Sequence, residues 1–164
     1  MIAFLTGILN WIHESALAEN IRDSVWLFPL IECIHVVAIV FVIGSISRVD
    51  LRLMGVINRE RPVVDVHEEM LPYTWTGFAI ATIFGLLMWV SKPLVYLGMA
   101  FFDVKLALIL LAFLNMLYFE YWPFRHVSDW NRNPFPPVAA RLSGAMSLAL
   151  WVSVVICGRF MGFV

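Results

Sequence analysis

The sequence predicts an all-α fold, an integral membrane four-helix bundle with an N-terminal amphipathic interfacial helix, and three observations carry that prediction. Hydrophobic residues make up 62% of the 164 and charged ones only 14%, with a mean hydropathy of +0.86. A soluble domain is nearer half apolar and a quarter charged, and a chain this short has no core large enough to hide the excess. Four apolar stretches reach the ~20 residues that cross a bilayer, at about 24–46, 71–90, 99–119 and 138–163. Nothing alternates with the period of a barrel strand, so each stretch must satisfy its backbone polar groups within a helix. Residues 1–164 read as one membrane domain.

Residues 1–20 come first. Ile2, Leu5, Leu9, Ile12 and Ala16 share one helical face, with Asn10, His13 and Glu14 elsewhere. The segment is short for a span and reads as a helix lying in the interface. Ala16-Leu17-Ala18 resembles a signal-peptide cleavage site. However, no Lys or Arg precedes the apolar stretch, and Trp11, His13 and Glu14 interrupt it, so the segment is expected to be retained. A charged loop at 47–70, a tight turn at 91–98 and a Pro/Trp-rich loop at 120–137 separate the spans. Pro72 suits the first turn of the second span, where its missing N–H costs little. Cys33 and Cys157 sit in apolar runs and read as free, buried thiols.

The arginines set the expected orientation. Arg48, Arg52, Arg59, Arg61, Arg125, Arg132 and Arg141 fall on one side, against Arg22, Lys92, Lys105 and Arg159 on the other. The arginine-rich side is expected in the cytoplasm, which puts both termini in the periplasm of a bacterial inner membrane. Trp26 and Trp89 would mark the outer interface, and Tyr73, Trp75, Tyr121 and Trp122 the inner one.

Two stripes of small residues are expected at helix contacts: Gly77, Ala81 and Gly85 on the second span, and Ala145, Ala149 and Ser153 on the fourth. Helices in lipid associate by close backbone approach, which small side chains permit. The same stripes could make room for a flat cofactor.

Ionisable residues inside a span are costly and point to function. Glu32 and His35 share a face of the first span, while Asp103, Lys105 and Arg159 lie toward the outer ends of others. At 1.5 Å per residue, Glu32 lies roughly 12 Å, Lys105 roughly 9 Å and Arg159 about 6 Å below the outer boundary. These depths would let Glu32 meet Lys105 or Arg159 in a buried polar cluster. His35 is the candidate ligand for a haem b, with Met88, Met116 and Met146 as other spanning ligands. A second histidine at matching depth is missing, because His67 belongs to the cytoplasmic boundary. One Glu-x-x-His copy is too few for a di-iron bundle, and no three-ligand zinc set occurs. No metal site or catalytic residue is expected, and no phosphate loop, nucleophile elbow or nucleotide fingerprint is present. Asn115 reads as an interhelical hydrogen bond.

The run from Ser24 to His35, SVWLFPLIECIH, is followed by Gly44 and by Asp50-Leu-Arg-Leu-Met-Gly55. Farther on come Leu71-Pro72, Phe102 with Lys105, Asn115, Ser147-Leu-Ala-Leu-Trp151 and Gly158-Arg159. From about residue 24 onward this pattern resembles an uncharacterised bacterial family of small four-span membrane proteins. More loosely, the chain is similar to copper-resistance-type membrane proteins and four-helix b-type cytochromes. The first resemblance implies the four-span fold and brings no activity; the second is a likeness of fold that says little about function.

Three functions are compatible with these residues. The leading one is an accessory subunit of a larger membrane complex, redox-linked and without catalytic activity of its own. The second is an electron-transfer protein that holds haem or contacts quinone through His35. The third is a small transporter using Glu32, Lys105 and Arg159, although no inverted repeat or broken helix supports it. The expected partners are the lipid bilayer and other membrane subunits or further copies of the chain. A formal net charge of -1 gives no reason to expect nucleic acid.

Overall fold

A computed structural model describes residues 2–163, with side chains from Gly7 onward; the side chains of Ile2 and Leu5, expected on the amphipathic face, lie outside the described residues. Helices account for all the regular structure described. They are α1 (Ile2–His13), α2 (Ala16–Asp23), α3 (Leu27–Leu53), α4 (Val63–Ser91), α5 (Pro93–Leu97), α6 (Ala100–Tyr121) and α7 (Val138–Phe160), with a 3-10 segment at Phe124–Asp129. Helices α3, α4, α6 and α7 are each long and apolar enough to cross a membrane, which marks a multi-pass membrane protein.

The four long helices pack in the order α4–α3–α7–α6. Helices α4 and α6 stand at the two ends of this arc and share no comparable packing. The arginine-rich end carries residues 54–62 and 122–137; the opposite, capped end gathers α1, α2 and α5 against α3 and α4.

Two helices outrun their apolar stretches, because helical hydrogen bonding does not stop where lipid does. Helix α3 continues through Arg48, Asp50 and Arg52, which the sequence placed in a loop. It ends in a Schellman motif: Val56 N–H donates to Leu51 O at 2.9 Å and Gly55 N–H to Arg52 O at 3.0 Å. Gly55 has φ +70 there, and a Cβ would meet Phe135 Cδ1 and Pro134 O at 3.0 Å, so glycine is needed twice over. Helix α4 starts at Val63, eight residues before the expected boundary, so Pro72 lies inside the helix instead of in its first turn. The carbonyl that Pro72 leaves without a partner belongs to Glu68, an exposed position where water can reach. The amino-terminal segment is two helices, broken where Ser15 accepts from Ala18 N–H at 3.3 Å as the N-cap of α2. The expected turn at 91–98 contains the short helix α5.

Long-range hydrogen bonds lock the arginine-rich end. Asn131 caps α4: its carbonyl accepts from Val63 N–H at 3.0 Å and its Oδ1 from Val64 N–H at 2.9 Å. Arg52, 0% exposed, donates Nε–H to Arg61 O at 2.9 Å and Nη2–H to Asn133 O at 3.2 Å. Leu53, Val63, Phe119, Trp130 and Ala140 form an apolar core beneath these bonds.

Candidate functional site

The open side of the arc holds a cavity. Its volume is about 180 Å³, and side chains of all four long helices line it. That is small beside the ~300–1,000 Å³ of pockets that enclose a drug-sized molecule, and suits a single flat ring. On α3 the lining runs from Val42 to Leu53, about 16 Å along the axis. Phe78 and Trp151 roof it with an edge-to-face pair, ring centroids 6.4 Å apart. At the floor, toward the arginine-rich end, His67 Nε2 lies 3.2 Å from Glu120 Oε1 and the His67 ring packs 4.7 Å from Phe124. Trp75 and Phe113 line the walls yet are largely exposed, as befits side chains flanking a mouth between α4 and α6.

Asp50 is the unusual group here. It lines the cavity at 5% exposure, and its Oδ2 has no hydrogen-bond partner among the described residues. A buried polar atom without a partner costs of order 1–3 kcal/mol, so the position calls for a reason. Neighbouring polar groups are already engaged. Asn115 Nδ2 donates to Ser143 O at 3.0 Å while Ser143 Oγ donates to Asn115 Oδ1 at 3.2 Å. Thr74 Oγ1 donates to Ser45 Oγ at 2.8 Å. Ser147 also lines the space. Asp50, His67 and Glu120 were absent from the sequence-derived candidates. The available signal was helical spacing: Val42, Ile46, Val49 and Leu53 repeat by three and four, and Asp50 falls on that face.

The expected polar cluster of Glu32, His35, Asp103, Lys105 and Arg159 is not assembled as one buried group. Glu32, Asp103 and Arg159 are exposed, and none of the five forms an ion pair among the described residues. Depth alone allowed Glu32 to meet Lys105 or Arg159; helix rotation does not. Ile31 is on the buried face of α3, and Glu32 is turned ~100° from it. Arg159 instead lies over the Phe163 ring, 4.7 Å from its centroid. His35 is half-buried between α3 and α4, its Nδ1–H donating to Ala81 O at 2.7 Å. Lys105 is half-buried at the capped end, its Nζ 3.5 Å from where a Cβ on Gly158 would be. Outside the spans, burial and the Glu32 charge push the Tyr96 phenol above its usual range.

Gly77 and Ala81 are buried between α3 and α4: a Cβ on Gly77 would lie 3.0 Å from Val42 Cγ2 and 3.2 Å from Ala38 O. Gly85 makes room for the His35 ring, whose Cε1 would be 2.9 Å from an added Cβ. The second stripe is turned away from its neighbours. Ala149 is exposed, Ala145 and Ser153 are half-buried, and Ser153 Oγ donates to Ala149 O at 2.9 Å. Helix α7 instead meets α3 through Ser143 and Gly144, where a Cβ would come 2.9 Å from Asp50 O. Cys33 is exposed, contrary to expectation, and Cys157 half-buried, both as free thiols.

The cavity does not reach His35, so a porphyrin seated in it would have no bond to that imidazole. Among the described residues no group of three or more His, Cys, Asp and Glu side chains is placed to hold a metal ion. Chemically, the cavity offers aromatic walls, a carboxyl group able to accept hydrogen bonds, and a His–Glu pair at its floor. No protein-family model, curated protein or solved structure matches the chain.

Proposed function

We propose that this protein is an accessory subunit of the bacterial inner membrane that holds a flat, lipid-soluble molecule in the cavity between α4 and α6. The observation that carries the reading is the buried Asp50 carboxyl, with one oxygen unpartnered, inside an aromatic-lined space open toward lipid. A ligand with a hydroxyl donor on a flat ring, the chemistry of a quinol, would supply the missing hydrogen bond and stack on Trp75, Phe78 and Trp151. Binding of this kind requires no reaction at the site and suits a subunit serving a larger redox complex.

Trp75 and Trp151 make the test direct. Titration of the purified protein with a short-chain alkyl hydroquinone should quench their fluorescence. Asp50→Asn should weaken binding by roughly tenfold or more, the worth of a hydrogen bond to a charged group, and Ser147→Phe should block it by filling the space. A parent protein that binds no hydroquinone, or variants that bind it unchanged, would overturn the reading.

The proposed orientation places the arginine-rich end in the cytoplasm. Helix connectivity brings the loops bearing Arg59, Arg61, Arg125 and Arg132 to one end, and such clusters are retained on the cytoplasmic side. A reporter fused after Val164 should be active in the periplasm, and one inserted beside Arg59 in the cytoplasm. Both reporters on one side would refute this topology.

A further inference from the structure

A groove runs along the outer seam of α3 and α4, on the far side of both helices from the cavity. Its volume is about 380 Å³, and Phe41, Gly44 and Arg48 of α3 line it with Glu69, Met70 and Tyr73 of α4. It shares no lining residue with the cavity. At ~100° per residue, Gly44 and Arg48 are turned about 160° from Ile46, which faces the cavity. A Cβ on Gly44 would meet nothing within 4 Å, so the space over the helix is open there. Phe41 and Tyr73, one on each helix, are both exposed.

The groove is graded along its length. Arg48 lies just beyond the apolar stretch of α3, at headgroup depth, and Val40 lies about 12 Å farther in, among hydrocarbon. Ser45 offers a ligand nothing, because its Oγ donates to Phe41 O and accepts from Thr74 Oγ1, both at 2.8 Å. At the charged end one carboxylate is shared by two arginines. Arg61 Nη2 lies 2.8 Å from Glu69 Oε2, whereas Arg48 Nη1 is 3.7 Å from Oε1, beyond hydrogen-bond reach. Glu69 is thus committed to Arg61, and one positive charge is left in excess at the mouth of an apolar groove.

We propose that the groove holds an anionic phospholipid, its phosphate on Arg48 and an acyl chain laid over Gly44 between Phe41 and Tyr73. A guanidinium can give a phosphate two parallel hydrogen bonds, and basic pockets beside spanning helices take anionic headgroups. A soluble anion would meet Arg48 but leave the apolar length of the groove empty, so the lipid itself is the occupant. The site does not depend on the ligand proposed for the cavity.

Native mass spectrometry of the full chain in detergent tests the site, with phosphatidylglycerol and phosphatidylcholine of identical acyl chains as competing probes. The parent should retain phosphatidylglycerol in preference. Arg48→Gln should weaken its retention by roughly tenfold and erase the preference, since a charge-assisted hydrogen bond is lost. Gly44→Phe should weaken retention to a similar degree by filling the groove while leaving the charge in place. Gly44→Ala should keep it, because the added Cβ meets open space. Arg48 and Gly44 are both exposed, so neither change disturbs buried packing. A parent without preference, retention unchanged in Gly44→Phe, or displacement of the lipid by millimolar inorganic phosphate would overturn the proposal.

Discussion

The two halves of the bundle solve the same packing problem with different materials. Toward the arginine-rich end, backbone meets backbone: Gly144 sits against Asp50 O, Asn131 caps α4, and Arg52 spans two loops. Toward the capped end, glycine meets side chain: Gly85 faces the His35 ring and Gly158 faces Lys105. A backbone contact cannot be relaxed by rotating a torsion, whereas a side chain can move aside. The contrast implies that the arginine-rich half is the rigid frame of the cavity and the capped half is the adaptable one.

That contrast can be broken most directly with two arginines. Arg52→Ala removes the bonds to Arg61 O and Asn133 O and empties the space of a wholly buried side chain, at about 3–5 kcal/mol. Arg22→Ala leaves the carbonyl of the wholly buried Ser91 without this donor and should cost about 1–3 kcal/mol. Unfolding in mixed micelles should therefore rank Arg52→Ala below Arg22→Ala; equal losses would erase the distinction.

Two glycines sharpen the comparison at smaller cost. Gly144→Ala drives its Cβ to 2.9 Å from Asp50 O, so α3 and α7 must separate, at roughly 1–3 kcal/mol. Gly85→Ala meets the movable His35 ring and should lose about 1 kcal/mol, mainly the bond to Ala81 O. A Gly85→Ala variant less stable than Gly144→Ala would reverse the assignment of rigid and adaptable halves. The smallest effect is expected from Asn115→Leu, which removes the reciprocal bonds with Ser143 at about 0.6 kcal/mol, the average for interhelical bonds in membranes. A loss above about 2 kcal/mol would show that this pair belongs to the frame and not to its periphery.

Hydropathy made the four helices legible, because a bilayer demands apolar length whatever the neighbours do. It could not mark where α3 and α4 end, since Asp50 and Arg52 read as loop charges while the helix ran on beneath them. Asp50 was hidden for that reason, although its register with Ile46 and Leu53 was visible. The stripe through Gly77 and Ala81 lies where helices meet, but Ala145, Ala149 and Ser153 face away while Gly144, one residue off, makes the contact. Small residues show which faces could pack; the neighbour that settles the choice is not written in one helix. The same limit applies to Glu32 and Lys105, whose depths were readable and whose rotations were not.

The bonds from Arg52 to Asn133 O and from Val64 N–H to Asn131 bear on biogenesis. They link positions 81 and 67 residues apart. When the hairpin of α3 and α4 first enters the bilayer, the start of α4 is uncapped and Arg52 lacks its second carbonyl. At ~5–20 residues per second, the ribosome takes about 4–16 s to deliver Asn133 after Arg52. During that interval the first hairpin must persist on its own α3–α4 packing, and the loop of the second hairpin acts as the clasp that ends it. A nascent chain arrested before residue 131 would thus be the form most open to surveillance proteases, with the same segments protected once synthesis is complete.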